Sequence, residues 1–151
     1  MAISTDALVD FFGTQDTVTS ASSSVTNGSF SVSGDITEWV NDDDAPMASV
    51  VLECTYSVAP TANTTVDLFV VLKDIQSTND QLAPTDNFQH VYLGAFPVKN
   101  VTTAQYIPLD VVLPNTKTSQ GYDFYIRNNG GQTISAGWDL YVTPKTYGPH
   151  A

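Results

Sequence analysis

Residues 122–144 read YDFYIRNNGGQTISAGWDLYVTP. Tyr122, Phe124 and Ile126 alternate with Asp123, Tyr125 and Arg127. Further on, Ile134, Ala136, Trp138, Leu140 and Val142 alternate with Ser135, Gly137, Asp139 and Tyr141. Period-two alternation puts one row of side chains on a buried face and the other toward solvent or a partner. Asn128-Asn129-Gly130-Gly131 stands between the runs, residue types that tolerate the positive φ of a tight reversal. The spacing predicts a β-hairpin, and with it an all-β domain.

The same grammar recurs along the chain. Phe30, Val32, Gly34 and Ile36 alternate with Ser29, Ser31, Ser33 and Asp35, which predicts a half-buried strand running toward Trp39. It ends at the turn cluster NDDDAP, residues 41–46. In residues 47–58, Val50, Leu52, Cys54, Tyr56 and Val58 share one face. Residues 66–75 (VDLFVVLKDI) are apolar on both faces, as in a central strand covered on both sides. Residues 88–98 and 102–113 predict strands whose Pro97 and Pro108 suit a bulge or a sheet edge. The tail 143–151 (TPKTYGPHA) is rich in Pro and Gly and is expected to be irregular. Seven or eight strands without a long helix predict an antiparallel two-sheet sandwich, with the jelly roll preferred over an immunoglobulin-like arrangement.

Residues 1–28 differ in character. Leu8, Val9, Phe11 and Phe12 form a short apolar patch, followed by the polar stretch TQDTVTSASSSVTNG. Two readings stand side by side: an extended N-terminal arm docking on a neighbour, or an edge strand or plug of the sandwich. Adjacent phenylalanines are costly to leave in water under either. The division expected is therefore 1–28 as arm or edge segment and 29–151 as the β-sandwich domain.

Composition excludes several functions. Five basic residues face sixteen acidic ones, a net charge of −11. Phosphate binding needs clustered Lys and Arg, so nucleic acid is not an expected partner, nor is an anionic membrane surface. No apolar run approaches the roughly 18 residues of a membrane span, and no secretory signal pattern opens the chain. The sequence is read as that of a protein made in a cytosol, which leaves the sequons at Asn27, Asn63 and Asn100 without meaning.

Catalytic and metal motifs are weak. Cys54 is the lone cysteine and reads as a small buried hydrophobe. Asp42-Asp43-Asp44 does not follow the spaced pattern of a calcium loop and reads as an exposed acidic turn; Asp80 and Asp86 are similarly weak. Glu38 and Glu53 are the only glutamates, and a hydrolytic pair of them is carried for completeness. His90 and His150, with one cysteine, make no zinc signature. No catalytic residue, cofactor or metal is assigned. Tyr125 and Tyr141 belong to the outward rows and suit a subunit contact or, second, stacking on a sugar.

The stretches DFFGTQD, NDDDAP, NFQHVYLG, VTTAQYIPL and NNGGQTISAGWDLYVTPKTYGPHA resemble small virion structural proteins of tailed bacteriophages. The resemblance runs over nearly the whole chain and is nearest in character to capsid decoration, or cement, proteins. It implies a small β domain on the outer shell, often a homotrimer, that staples neighbouring capsomers and carries no catalytic residues. The expected partner is the major capsid protein, bound non-covalently, and the expected location is the capsid surface of a virion assembled in a bacterial cytoplasm. Leu8, Val9, Phe11 and Phe12 would anchor the N-terminal arm by analogy of role, with Tyr147 and Pro149 of the tail adding contacts. The rival expectation is a carbohydrate-binding jelly-roll module of a tail or head fibre.

Overall fold

The computed structural model describes residues 7–20, 22–75, 80–87 and 91–149. In chain order its strands are β1 (Leu8–Phe12), β2 (Asp16–Thr17), β3 (Trp39–Asn41), β4 (Met47–Cys54), β5 (Thr65–Lys73), β6 (Val91–Pro97), β7 (Gln105–Val112), β8 (Gln120–Asn128) and β9 (Asp139–Pro149). They form a sandwich of two antiparallel sheets. One runs β1-β9-β4-β7, with β2 also paired to β9; the other runs β3-β8-β5-β6. The pairing is nested: β5 with β6, β4 with β7, β3 with β8 and β1 with β9. The first half of the chain thus folds back on the second like one long hairpin rolled over itself.

The period-two rows build the core. Ala48, Val50, Leu52 and Cys54 of β4 and Leu140 and Val142 of β9 meet Val66, Leu68, Val70 and Leu72 of β5 and Tyr122, Phe124 and Ile126 of β8. Burial pushes the Cys54 thiol up to about 12, so it behaves as a small hydrophobe and not as a nucleophile. β5 is buried on both faces through its middle, and the proline-bearing β6 and β7 lie at sheet edges.

Four expectations are corrected. Residues 122–144 are not a hairpin, because β8 and β9 belong to different sheets and the segment between them crosses the end of the sandwich. The buried Asn128 side chain builds that crossing. Its amide donates to the carbonyls of Val25 and Gln132 at 2.8 and 2.7 Å, and its Oδ1 accepts from the Gly130 N–H at 2.9 Å. Ile134 then bridges Val25 and Tyr56. Both inward rows survive the correction except at Ala136, which is exposed; otherwise only their partners change.

Residues 29–36 are not a strand. Phe30 and Ile36 make single bridges, to Arg127 and Thr19, on either side of a 3-10 turn at Ser33–Asp35. Ser, Gly and Asp favour such turns, and this one is fixed by the buried Asp35 carboxylate, which accepts from the Ser23 backbone N–H and hydroxyl. Val58, expected inward, is exposed beyond the end of β4. The tail is regular as far as Pro149, despite its prolines. Pro144 is tolerated because its carbonyl faces Gly13, whose N–H it accepts at 2.9 Å. The N–H that proline lacks would point the same way, into the break between β1 and β2, and not toward β4.

Of residues 1–28, Leu8–Phe12 forms an edge strand along the distal part of β9, while Val18 and Val25 are buried in the core. Residues 1–6 lie outside the described residues, as do His90, His150 and Ala151.

Asn128→Ala is expected to destabilise the fold by about 2–4 kcal/mol, since it orphans the Gly130 N–H and the Gln132 carbonyl. Urea unfolding measures this; a loss near zero would mean that Asn128 does not hold the crossing.

Candidate interaction face

In the β1-β9-β4-β7 sheet, β4, β7 and the first half of β9 each bury one row in the core, which leaves the opposite row on an outer face; β1 extends that face without burying a row of its own. The register lays that face out. Glu53 lies opposite Tyr106 and Asp139, Val51 opposite Pro108 and Tyr141, and Met47 opposite Val112 and Lys145. Across β9, Lys145 lies opposite Phe12, Tyr147 opposite Asp10 and Pro149 opposite Leu8. Five large apolar side chains here, Leu8, Phe12, Tyr106, Val112 and Tyr147, are each more than half exposed. Leu8, Phe12 and Tyr147 sit together over β1 and β9, whereas Tyr106 and Val112 stand apart on β7 at the far edge of the sheet; clustered apolar exposure is the kind associated with contact surfaces.

Several polar groups of the face are paired with one another. The Glu53 carboxylate accepts from the Tyr106 hydroxyl at 3.0 Å and from the Tyr141 hydroxyl at 2.7 Å. Lys145 Nζ sits 3.0 Å from Asp110 and 3.2 Å from Asp10, and lies 5.7 Å from the centre of the Phe12 ring. Exposed pairs of this kind add little to stability. Their effect is to leave few free polar atoms to desolvate when another surface covers the sheet.

The middle of the other sheet's outer face is covered by the chain itself, while Val40 of β3 and Tyr92 of β6 stay exposed toward its edges. Phe30 and Ile36 pack over Phe69, Val71 and Tyr125. The Phe30 and Phe69 rings meet edge-on at 5.3 Å, and the Arg127 guanidinium lies 5.3 Å from the centre of the Phe30 ring. Ion pairs surround this cover: Lys73 with Asp80 and Asp123 at 2.8 and 3.4 Å, and Arg127 with Asp86 at 3.0 Å.

The residues singled out from sequence therefore divide. Leu8, Phe12, Tyr141, Tyr147 and Pro149 come together on the open face. Val9 and Phe11 take the opposite phase of β1; Phe11 lines a shallow notch with Ala45, Pro144 and Thr146. Tyr125 is corrected: its row points outward, but only 3% of it is exposed, because residues 30–36 cover it. Sequence reasoning missed Tyr106 and Val112. The signal was there in QYIPLDVV, where Tyr106, Pro108, Asp110 and Val112 form one row of an edge strand.

The two glutamates are not brought together. Glu53 is on the open face, whereas Glu38 lies by Gly121, Lys73 and Asp123 on the other sheet. Asp42, Asp43 and Asp44 form an exposed turn, in which Asp44 Oδ1 accepts the Ser119 N–H at 2.7 Å. Among the described residues, no group of three or more His, Cys, Asp or Glu side chains is placed to hold a metal.

No known family model and no curated protein sequence matches the chain. Among solved structures, a chain from the structure of infectious bursal disease virus Gx strain is similar, with a TM-score of 0.34 and 11% identity. The likeness covers 96% of this chain but 36% of that one, so this chain spans about a third of its length. A likeness of that degree decides neither fold nor function.

Two titrations test this electrostatic layout. Hydrogen bonding to Glu53 pushes the Tyr141 phenol up from 10.0 to about 12. Glu53→Gln is expected to return it toward 10, read by ultraviolet absorbance of the phenolate. Burial raises the Asp123 carboxyl above its ordinary 3.8, with Lys73 opposing. A carboxyl raised in the folded state favours folding when protonated, and that contribution is lost as pH climbs above 3.8. Asp123→Asn should therefore unfold at a higher temperature than wild type at pH 7, with the gain vanishing at and below pH 3.8. A less stable variant at pH 7 would show that the Lys73 pair outweighs burial.

Proposed function

We propose that the protein is a structural virion protein, a capsid decoration protein of a tailed phage that binds the outer shell non-covalently through the open face of the β1-β9-β4-β7 sheet. The observation that carries this reading is the contrast between the centres of the two outer faces: one is covered by the chain's own Phe30 and Ile36, and the other is left uncovered, with exposed apolar side chains beside the paired Glu53, Tyr106 and Tyr141. A stable protein interface takes roughly 800 Å² from each partner, about a tenth of the 7876 Å² surface of this chain, and one sheet face is of that order. The resemblance to phage virion proteins supports the reading. So does the nested strand pairing, which we read as a jelly roll, an architecture of viral capsid and lectin domains.

Within this proposal the protein acts as a homotrimer on the major capsid protein. Three modest faces held together gain avidity without any new contact. Apolar burial supplies the driving force, and the mutual pairing of Glu53 with Tyr106 and Tyr141 keeps the polar cost low.

One observation favours a second reading, a carbohydrate-binding module: the Tyr106 ring is exposed beside a carboxylate on an open sheet. Aromatic platforms with adjacent hydrogen-bonding groups suit sugars. Glycan-array binding that is lost in Tyr106→Ala would favour this reading over the first.

The shell reading is tested by a matched pair of charge insertions. Val112→Asp on the open face and Val32→Asp on the closed side both alter exposed side chains, so both are expected to fold. Cosedimentation with undecorated shells should show binding weakened about tenfold or more for Val112→Asp, the effect of burying an unpaired charge, and unchanged for Val32→Asp. Equal behaviour of the two would remove the open face as the docking surface.

A further inference from the structure

Two sheets have four edges, and an exposed edge is a template for another strand unless something blunts it. Three edges here are blunted. β7 carries Pro108 in its middle with Asp110 beyond it. β6 has a register shift opposite Leu68 and Phe69, leaving Leu93 as a bulge, and it ends on Pro97. β3 is three residues long and runs into Asp42, Asp43 and Asp44. β1 is five residues long and carries Asp10, but it lacks the breaks that interrupt the other three edges. Leu8-Val9-Asp10-Phe11-Phe12 contains no proline or lysine, and its register with β9 is unbroken.

The ladder identifies which amides are free. Gly13 donates to the Pro144 carbonyl, which continues the register in which Phe12 lies opposite Lys145. Backbone groups alternate in direction along a strand. Val9 and Phe11, in phase with Gly13, therefore bond toward β9, while Leu8, Asp10 and Phe12 turn their N–H and C=O groups to the open side. Among the described residues nothing pairs with that side.

We propose that β1 is a strand-addition site, which takes an extended segment of a partner protein as the next strand of the sheet. The partner segment carries Lys or Arg opposite Asp10, with apolar residues at the positions beside it. Charge at this edge selects this occupant over a second copy of the chain. Two β1 strands in full antiparallel register would set Asp10 directly opposite Asp10, a destabilising arrangement. A basic residue in that place meets a carboxylate that is half exposed and shared with Lys145. Leu8 and Phe12 on one face and Val9 and Phe11 on the other meet the apolar neighbours. Main-chain bonds supply affinity in such additions and side chains supply register. The added strand also continues the open face described above. That the segment belongs to the shell protein rests on the proposed function; the open edge itself does not.

The test uses the full chain as wild type, Asp10→Ala and Asp10→Pro, with undecorated shells as the probe. Proline removes the outward N–H of residue 10 but no bond to β9, and edge strands accept it; alanine removes only the carboxylate. Asp10→Pro should bind shells about tenfold or more weakly than Asp10→Ala, the loss of main-chain bonding at a buried edge, with unfolding temperatures alike. Amide exchange at Leu8, Asp10 and Phe12 should be fast in the free protein and slow on shells. Equal binding by Asp10→Pro and Asp10→Ala overturns strand addition and leaves the function standing. A wild type that ignores shells overturns both. Slow exchange in the free monomer would assign the edge to the chain's own N-terminal segment, and protection that appears only with self-association would assign it to a second copy. Either overturns the shell-segment occupant.

Discussion

Everything in the molecule depends on the meeting of two inward rows, Val50, Leu52 and Leu140 from one sheet and Leu68, Phe124 and Ile126 from the other. Burial of these side chains supplies most of the drive to fold. It also uses up one face of every long strand. Whatever the protein contacts must therefore be met by an outer face, a sheet edge or a loop. The nested pairing adds a second constraint. Because β9 pairs with both β4 and β1, the first and last strands lie side by side, and residues from positions 8 to 149 share one surface.

The outer faces differ because of what the connections do. The segment between β2 and β3 must cross from one sheet to the other, and it crosses over Phe69, Val71 and Tyr125. Its Phe30 and Ile36 fill the space that a partner would otherwise take. No comparable segment among the described residues lies over Tyr106, Val51 and Tyr141. The open face is thus a consequence of connectivity as much as of side-chain choice.

This explains what could be read in advance. Alternation identified which residues of β4, β8 and β9 face the core, because period two is a property of the strand alone. Pro97 and Pro108 marked edges, because a missing N–H is a local fact as well. Partner choice is not local. Asn128-Asn129-Gly130-Gly131 has the residues of a tight turn, yet Asn128 spends its amide on Val25 and Gln132 and sends the chain across the sandwich. Residues 29–36 alternate like a strand, but the pull of Ser23 on Asp35 bends them into a turn. Tyr125 was placed in the right row and misjudged in exposure, since its cover comes from residues about ninety positions earlier. The row of Tyr106 and Val112 is legible in QYIPLDVV, but which side of the sheet it faces follows only from the place of β7 in the sheet.

Charge sets the terms on which the open surface meets anything. Three of the five cations, Lys73, Arg127 and Lys145, are engaged in ion pairs with five aspartates. With sixteen acidic residues in all, most of the acidity remains uncompensated at the surface. Such a chain repels its own copies at long range, over a Debye length of about 8 Å at physiological salt, and is drawn to basic surfaces. Two copies approaching face to face bring Asp10, Asp110 and Asp139 against the same residues, with one lysine on each side to offset them. Apolar exposure alone would make this face sticky toward itself. The acidic groups around it oppose that self-contact, so charge offsets what apolar exposure alone would favour.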